Sequence, residues 1–207
     1  NPALLDHLAE TLVANRFDLK KLMHHILSSR VYQLSSVPNQ TNAQDQQSYS
    51  HHLVKRLPAA VLLDAISEVT GTPETFIGMP RGTRAIQLWD NRLPSYFLDT
   101  FGRSERESPC ECGSSTEPTM AQTLHLMNAP EIDTKITARG SRIDRMITRK
   151  ATPKQIVDEL CLAALGRPPR PREIRAAEKL FASGPPRQAA EDFLWALLNS
   201  YDFLFVH

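Results

Sequence analysis

Thr152-Pro153-Lys154-Gln155-Ile156-Val157-Asp158-Glu159-Leu160-Cys161-Leu162-Ala163-Ala164-Leu165-Gly166 holds the start, stripe and stop of one amphipathic helix. Thr152 is placed to accept a first-turn N–H. Pro153 brings a φ suited to the first helical position and no donor to leave unpaired, and Gln155 can return a bond to the cap backbone. Ile156, Val157, Leu160, Cys161, Ala164 and Leu165 then fall on one face of a 3.6-residue period. Gly166 ends the run. This is the clearest local signal in the chain.

Towards the carboxyl end, two more helices are expected, one through Ile174, Ala177, Leu180 and Phe181 to Gly184, and one through Phe193, Leu194, Leu197 and Leu198. The tail from Tyr201 to Val206 is apolar enough to dock on a core. Towards the amino end, Ser141 is a cap for a helix containing Ile143, Met146 and Ile147. Thr116 is a cap for another carrying Met120, Leu124 and Met127. Further back, Pro58 suits the first turn of a helix with Val61, Leu62, Ile66 and Val69, stopped by Gly71 and Pro73. At the start of the chain, Leu4, Leu5, Leu8, Leu12 and Val13 precede Leu19, Leu22, Met23, Ile26 and Leu27 across a break at Asn15-Arg16. This predicts a helical hairpin with Asp18 capping its second arm and Phe17 stapled on Leu22. Residues 35–50 are rich in Ser, Asn, Gln and Thr and read as an exposed connection. No strand pair is expected.

Periodicity fails from Thr72 to Ser115, where Gly78, Pro80, Gly82, Pro94, Gly102, Pro109 and Gly113 interrupt the chain and only Leu93 to Phe101 resembles a short helix. Phe76, Ile77, Ile86, Leu88, Trp89, Tyr96, Phe97 and Phe101 in that stretch are costly to leave in water, so it is expected to be ordered. The expected architecture is a single all-α domain over 1–207. Amino-terminal helices (1–71) and carboxy-terminal helices (116–207) form a multi-helix bundle, and a long ordered irregular insertion (72–115) caps it.

Composition sets limits on function. The chain of 207 residues carries 24 Lys and Arg against 23 Asp and Glu, a formal net charge of +1, so no bulk field collects nucleic acid or anionic lipid. No apolar run reaches the roughly 18 residues needed for a membrane span. Asn1-Pro2-Ala3-Leu4-Leu5 lacks both a Met and the pattern of a signal peptide, so the chain is expected to be a segment of a longer protein. The sequence contains no C-x-x-C-H, G-x-S-x-G, Walker, H-E-x-x-H or dinucleotide motif. Haem is therefore not attached covalently in this segment by its usual signature.

A series of short runs occurs in a characteristic order. They are Phe17-Asp18-Leu19-Lys20-Lys21-Leu22, Ser28-Ser29-Arg30-Val31-Tyr32, Leu63-Asp64-Ala65, Cys110-Glu111-Cys112, Leu124-His125-Leu126-Met127-Asn128, Leu165-Gly166-Arg167-Pro168-Pro169 and Leu198-Asn199-Ser200-Tyr201-Asp202-Phe203-Leu204. Together they resemble the planctomycete-type C-terminal domain of unknown function 1553 over nearly the whole chain. The resemblance implies a C-terminal part of a large exported, envelope-associated protein, in some members alongside a c-type cytochrome, and it brings no activity with it. The family's cysteine run commonly has a basic residue shortly after the second Cys. Gly113, Ser114 and Ser115 stand there instead, so a role needing that cation is not implied.

Two constellations are candidates for chemistry. Cys110 and Cys112 with His125 offer two thiolates and an imidazole to one soft ion, zinc or copper. The plainer alternative is that the thiols are buried, free, or partly tied to Cys161, and that His125 is a structural residue on its helix. In the irregular stretch, Arg81, Arg84, Arg92, Arg103 and Arg106 lie among Trp89, Tyr96, Phe97 and Phe101. Guanidinium forks beside aromatic faces suit carboxylates, sulfates or an anionic glycan, with Arg81, Arg84, Trp89, Arg92 and Tyr96 as the candidate ligand-binding set. Internal pairing with Glu74, Asp90, Asp99, Glu105, Glu107 and Glu111 is the competing use of those arginines. His24-His25 and His51-His52 point about 100° apart if helical and are expected at the surface. The expected function is a non-catalytic binding or assembly module acting with other domains of its parent chain. The alternative is a metal-binding enzyme or redox accessory serving an attached c-type cytochrome.

Overall fold

The computed structural model describes residues 1–45, 47–89, 93–103 and 129–206. The chain divides into two compact units, residues 1–54 and residues 55–206.

In the first unit, α1 (Pro2–Ala14) and α2 (Leu19–Leu27) form the expected hairpin. Asn1 caps α1 through its side chain, and Asp18 accepts from the N–H groups of Lys20 and Lys21 at 3.0 and 3.2 Å, which satisfies two donors that the helix cannot. Arg16 and Phe17 turn the chain with positive φ, 54° and 60°. Phe17 stays 69% exposed, so the expected staple on Leu22 does not form as a buried contact. Among the described residues of both helices none is fully buried, and Leu5, Val13, Leu19 and Met23 all stand in solvent. The connection that follows is held by polar turns, chiefly Asp45 accepting from Gln47, Ser48 and Ser50.

The second unit is mostly helical. Its elements are β1 (Lys55–Arg56), α3 (Ala59–Thr70), a 3-10 turn (Ala85–Gln87), α4 (Tyr96–Thr100), α5 (Pro130–Thr137), α6 (Arg142–Thr148), α7 (Pro153–Leu165), α8 (Pro171–Ser183), α9 (Pro186–Leu198), α10 (Tyr201–Leu204) and β2 (Phe205–Val206). The capping signals work as the sequence predicts. Ser141 accepts from Asp144 N–H, and Thr152 and Gln155 exchange both bonds of a capping box. Gly71 and Gly166 end α3 and α7 in the left-handed region at φ 68° and 64°. Gly184 ends α8 with extended backbone instead.

Two helices organise this unit. α9 buries Ala189, Ala190, Phe193, Leu194, Leu197 and Leu198 against α5, α6, α7 and α8. α3 buries Leu62, Leu63, Ile66 and Val69 and is shared by α4, α5, α6, α7 and the 3-10 turn. Phe76, Ala85, Leu88, Phe97, Leu98 and Phe101 of the irregular stretch join the same core. The described part of that stretch is therefore ordered because its inward apolar side chains are buried.

One feature departs from the sequence reading. Lys55 and Arg56 pair antiparallel with Val206 and Phe205, and Leu57 N–H donates to Leu204 O at 3.0 Å just beyond. Two residues per strand are too short to leave a period-two pattern, so the pair has no sequence signature. The helix expected to carry Met120, Leu124 and Met127 lies outside the described residues, as do Arg92, Arg106, Cys110, Cys112 and His125.

Candidate functional site

Asp64 is the residue that organises the irregular stretch. It sits on the inward face of α3 and is buried, yet its carboxylate is fully engaged. Oδ1 accepts from Ala85 N–H at 2.6 Å, Oδ2 accepts from Ile86 N–H at 3.1 Å, and Arg84 Nε lies 3.6 Å from Oδ2. A buried charge needs such partners. In turn, two N–H groups at the start of the 3-10 turn that lack an internal acceptor receive one from another element. Gln87 closes the turn by accepting from Arg84 N–H at 3.0 Å.

This anchor gives the strap formed by residues 72–89 and 93–103 two sides. Ala85 and Leu88 face the core beside Phe97, Leu98 and Phe101, with Phe97 and Phe101 stacked at 4.4 Å between ring centroids. Ile77, Arg81, Arg84, Ile86, Trp89 and Tyr96 face solvent, with Trp89 77% and Tyr96 67% exposed. Of the candidate ligand-binding set, Arg81, Arg84, Trp89 and Tyr96 are thus all on the solvent side of one ordered strap. Arg84 is drawn towards Asp64. Arg103 is used internally, through Asp99 at 2.7 Å and Leu93 O at 2.7 Å, so the pairing alternative holds for that arginine.

Arg56, buried at the other edge of the strap, donates to Phe101 O at 3.0 Å and lies over the Phe101 ring at 5.5 Å. Lys135 of α5 reaches the start of the strap. Its Nζ donates to Thr72 O at 3.0 Å and pairs with Glu74 at 3.2 Å, and Thr72 Oγ1 donates back to Lys135 O at 3.1 Å. The strap is fastened at three places by side chains of flanking elements. Asp64 was visible in the sequence only as part of a short run, and its role needed the fold.

Two grooves of the second unit lie elsewhere. The larger, about 760 Å³, is lined in part by Glu68, Arg142, Arg149, Gln155, Glu159 and Leu162. Its guanidinium groups are already engaged. Arg142 donates to the α3 carboxy-terminal carbonyls of Val69 and Glu68 at 2.7 and 3.0 Å, and both Arg142 and Arg149 pair with Glu159. The smaller, about 390 Å³, is lined by Asp133, Glu191, Asp192 and Trp195 among others. Burial raises the Glu191 carboxyl above its ordinary range, and the charges of Asp133 and Asp192 add to this against the pull of Arg187.

Cys161 is a free thiol buried in α7, so the alternative that ties it to another cysteine is not realised. Burial, with the charge of Glu173 adding to it, pushes the thiol up to about 11. It therefore stays protonated at neutral pH and is a poor ligand or nucleophile. Among the described residues no three His, Cys, Asp or Glu side chains gather as a metal-ligand set. Of the histidine pairs expected to be mostly surface or cap residues, His24 and His25 are exposed and His51 and His52 are half-buried; His25 meets His7 across the hairpin with Nε2 atoms 3.3 Å apart.

A protein-family model described as a protein of unknown function (DUF1553) matches residues 1–181. The chain belongs to the DUF1553 family. Within this DUF1553 chain the match includes the hairpin, Asp64 and the whole strap. Comparison with curated proteins and with solved structures finds no match. Among the described residues no helix is long and apolar enough to cross a membrane.

Proposed function

We propose that this DUF1553 chain is a non-catalytic binding or assembly module of a larger exported, envelope-associated protein, and that the outer face of the strap, residues 72–89 and 93–103, docks a partner domain. The compartment in this reading comes from the family resemblance. One observation carries the docking surface: an ordered strap with a buried inner side holds Ile77, Ile86, Trp89 and Tyr96 out in water, on the same stretch of chain as exposed Arg81 and Arg84. Trp, Tyr and Arg are the residue types that dominate binding energy at protein interfaces, and large apolar side chains gathered on one face mark such surfaces. The strap costs little to order on binding, because its inner side and the Asp64 anchor already hold it in place.

The remaining domains of the parent chain, produced separately, are the natural probe. Binding measured by calorimetry is expected for the native chain, and Trp89→Ala or Tyr96→Ala is expected to weaken it by about 1–4 kcal/mol in the manner of an interface hot spot. Trp89 is 77% exposed, so Trp89→Ala should leave the thermal transition within about 0.5 kcal/mol of the parent. Binding that survives the double substitution Trp89→Ala/Tyr96→Ala overturns this surface. Capture of a sulfated glycan in place of any protein domain overturns the choice of partner.

A further inference from the structure

The α1–α2 hairpin brings two imidazoles together at its rim. His7 and His25 are eighteen residues apart and equally distant from Arg16, so an antiparallel turn centred there sets them side by side. Leu8, Leu12 and Leu22 are the half-buried seam of the hairpin, and each histidine stands next to or one turn from a seam residue. The two Nε2 atoms lie 3.3 Å apart, with ring centroids 5.5 Å apart and planes inclined by 50°. Both side chains are exposed, so water and dissolved ions reach the pair.

Two ring nitrogens at this separation can share one ion. Two zinc–nitrogen bonds of about 2.0–2.1 Å at the tetrahedral angle hold their nitrogens about 3.3–3.4 Å apart. Ligands at right angles, as in square or octahedral coordination with similar bonds, would stand about 2.8–3.0 Å apart. Without an ion, the same separation lets one ring N–H donate to the other ring's Nε2. We propose that His7 and His25 form a two-imidazole zinc site that clips α1 to α2, with water filling the other two tetrahedral positions. Each neutral ring gives its Nε2 lone pair. In the neutral pair one ring carries its proton on Nε2, towards the other; as the ion takes that place this ring changes to the Nδ1–H tautomer by exchange with solvent, with no net proton release, and both rings then carry their proton on Nδ1. Two protein ligands make this a weaker site than a closed structural centre with four. His24 is outside the set: it sits one residue along α2, about 100° around the helix, with Nδ1 3.4 Å from Ser28 Oγ.

The test uses the full chain carrying Cys110→Ser and Cys112→Ser, so that those thiols add no zinc binding of their own. Zinc ion alone is titrated against a chromogenic chelator while imidazole ¹⁵N resonances are followed. The Nε2 resonances of His7 and His25 are expected to move together and saturate at one ion. His7→Ala and His25→Ala are each expected to weaken uptake by roughly tenfold or more, with His24→Ala leaving it unchanged. All three positions are exposed, so circular dichroism should show each variant folded. Zinc uptake that His7→Ala or His25→Ala leaves unaltered overturns the site, as does movement of one of the two rings alone or no uptake at millimolar zinc.

Discussion

Asp64 shows how much one side chain can decide here. Buried on α3 and bonded to the N–H groups of Ala85 and Ile86, it is the link between a regular helix and a stretch with no periodicity. Asp64→Ala removes the acceptor and leaves Ala85 N–H, which is buried, without one. The expected cost is about 1–3 kcal/mol, read as a lower urea midpoint. Amide exchange of Ala85 and Ile86 should accelerate, with that of α9 changing least. Unchanged exchange at those two amides would show that the strap holds without its anchor. The sequence placed Asp64 on a helix, but it could not show that the side chain points inward at a turn twenty-one residues away. An inward carboxylate breaks the rule that charges face water, and only its distant partners explain it.

At the scale of elements, local chemistry is legible where it acts over three or four residues. The Thr152 box, the Ser141 cap and the left-handed Gly71 and Gly166 were read directly, because each satisfies helix-end groups with its own neighbours. Gly166 and Gly184 both stop a helix, but for different reasons, and this separates their substitutions. At Gly166 a Cβ meets nothing within 4 Å, so Gly166→Ala should lose about 1 kcal/mol through its φ of 64° alone. At Gly184 a Cβ is equally free and the backbone is extended, so Gly184→Ala should be neutral or gain about 0.4–1 kcal/mol by restricting the unfolded chain. Paired thermal melts check this. Equal losses at both sites would mean that the stop at Gly184 also needs glycine. The β1–β2 pair shows the converse, since its ladder depends on residues at opposite ends of the second unit meeting.

At the scale of the whole molecule, Arg167 ties the turn between α7 and α8 to the end of the chain. Its guanidinium reaches Glu173 through two bonds of 2.9 and 2.8 Å and Asp202 at 2.6 Å, with Arg170 adding a contact to Asp202 at 3.0 Å. The hydrogen bonds from Arg167 hold the Glu173 carboxyl below its ordinary value, against the opposing effect of burial. A carboxyl depressed in the folded state contributes stability above its unfolded pKa of about 4.5 and loses it as pH falls through the folded value. Unfolding free energy should therefore fall on acidification below about pH 5, and Glu173→Gln should flatten that slope. At neutral pH, Arg167→Lys should cost about 1.5–3 kcal/mol, because an ammonium cannot reproduce the fork. An unchanged acid slope in Glu173→Gln would assign the loss to other carboxylates. By itself the sequence determined the helical class, most helix ends, the hairpin and the family, since these follow from periodicity, capping and ordered short runs. The tertiary structure alone decided that Asp64 anchors the strap, that Trp89 and Tyr96 face out while Phe97 and Phe101 face in, and that His7 meets His25. Those outcomes depend on which distant groups share a space, and spacing along a chain carries no distance across it.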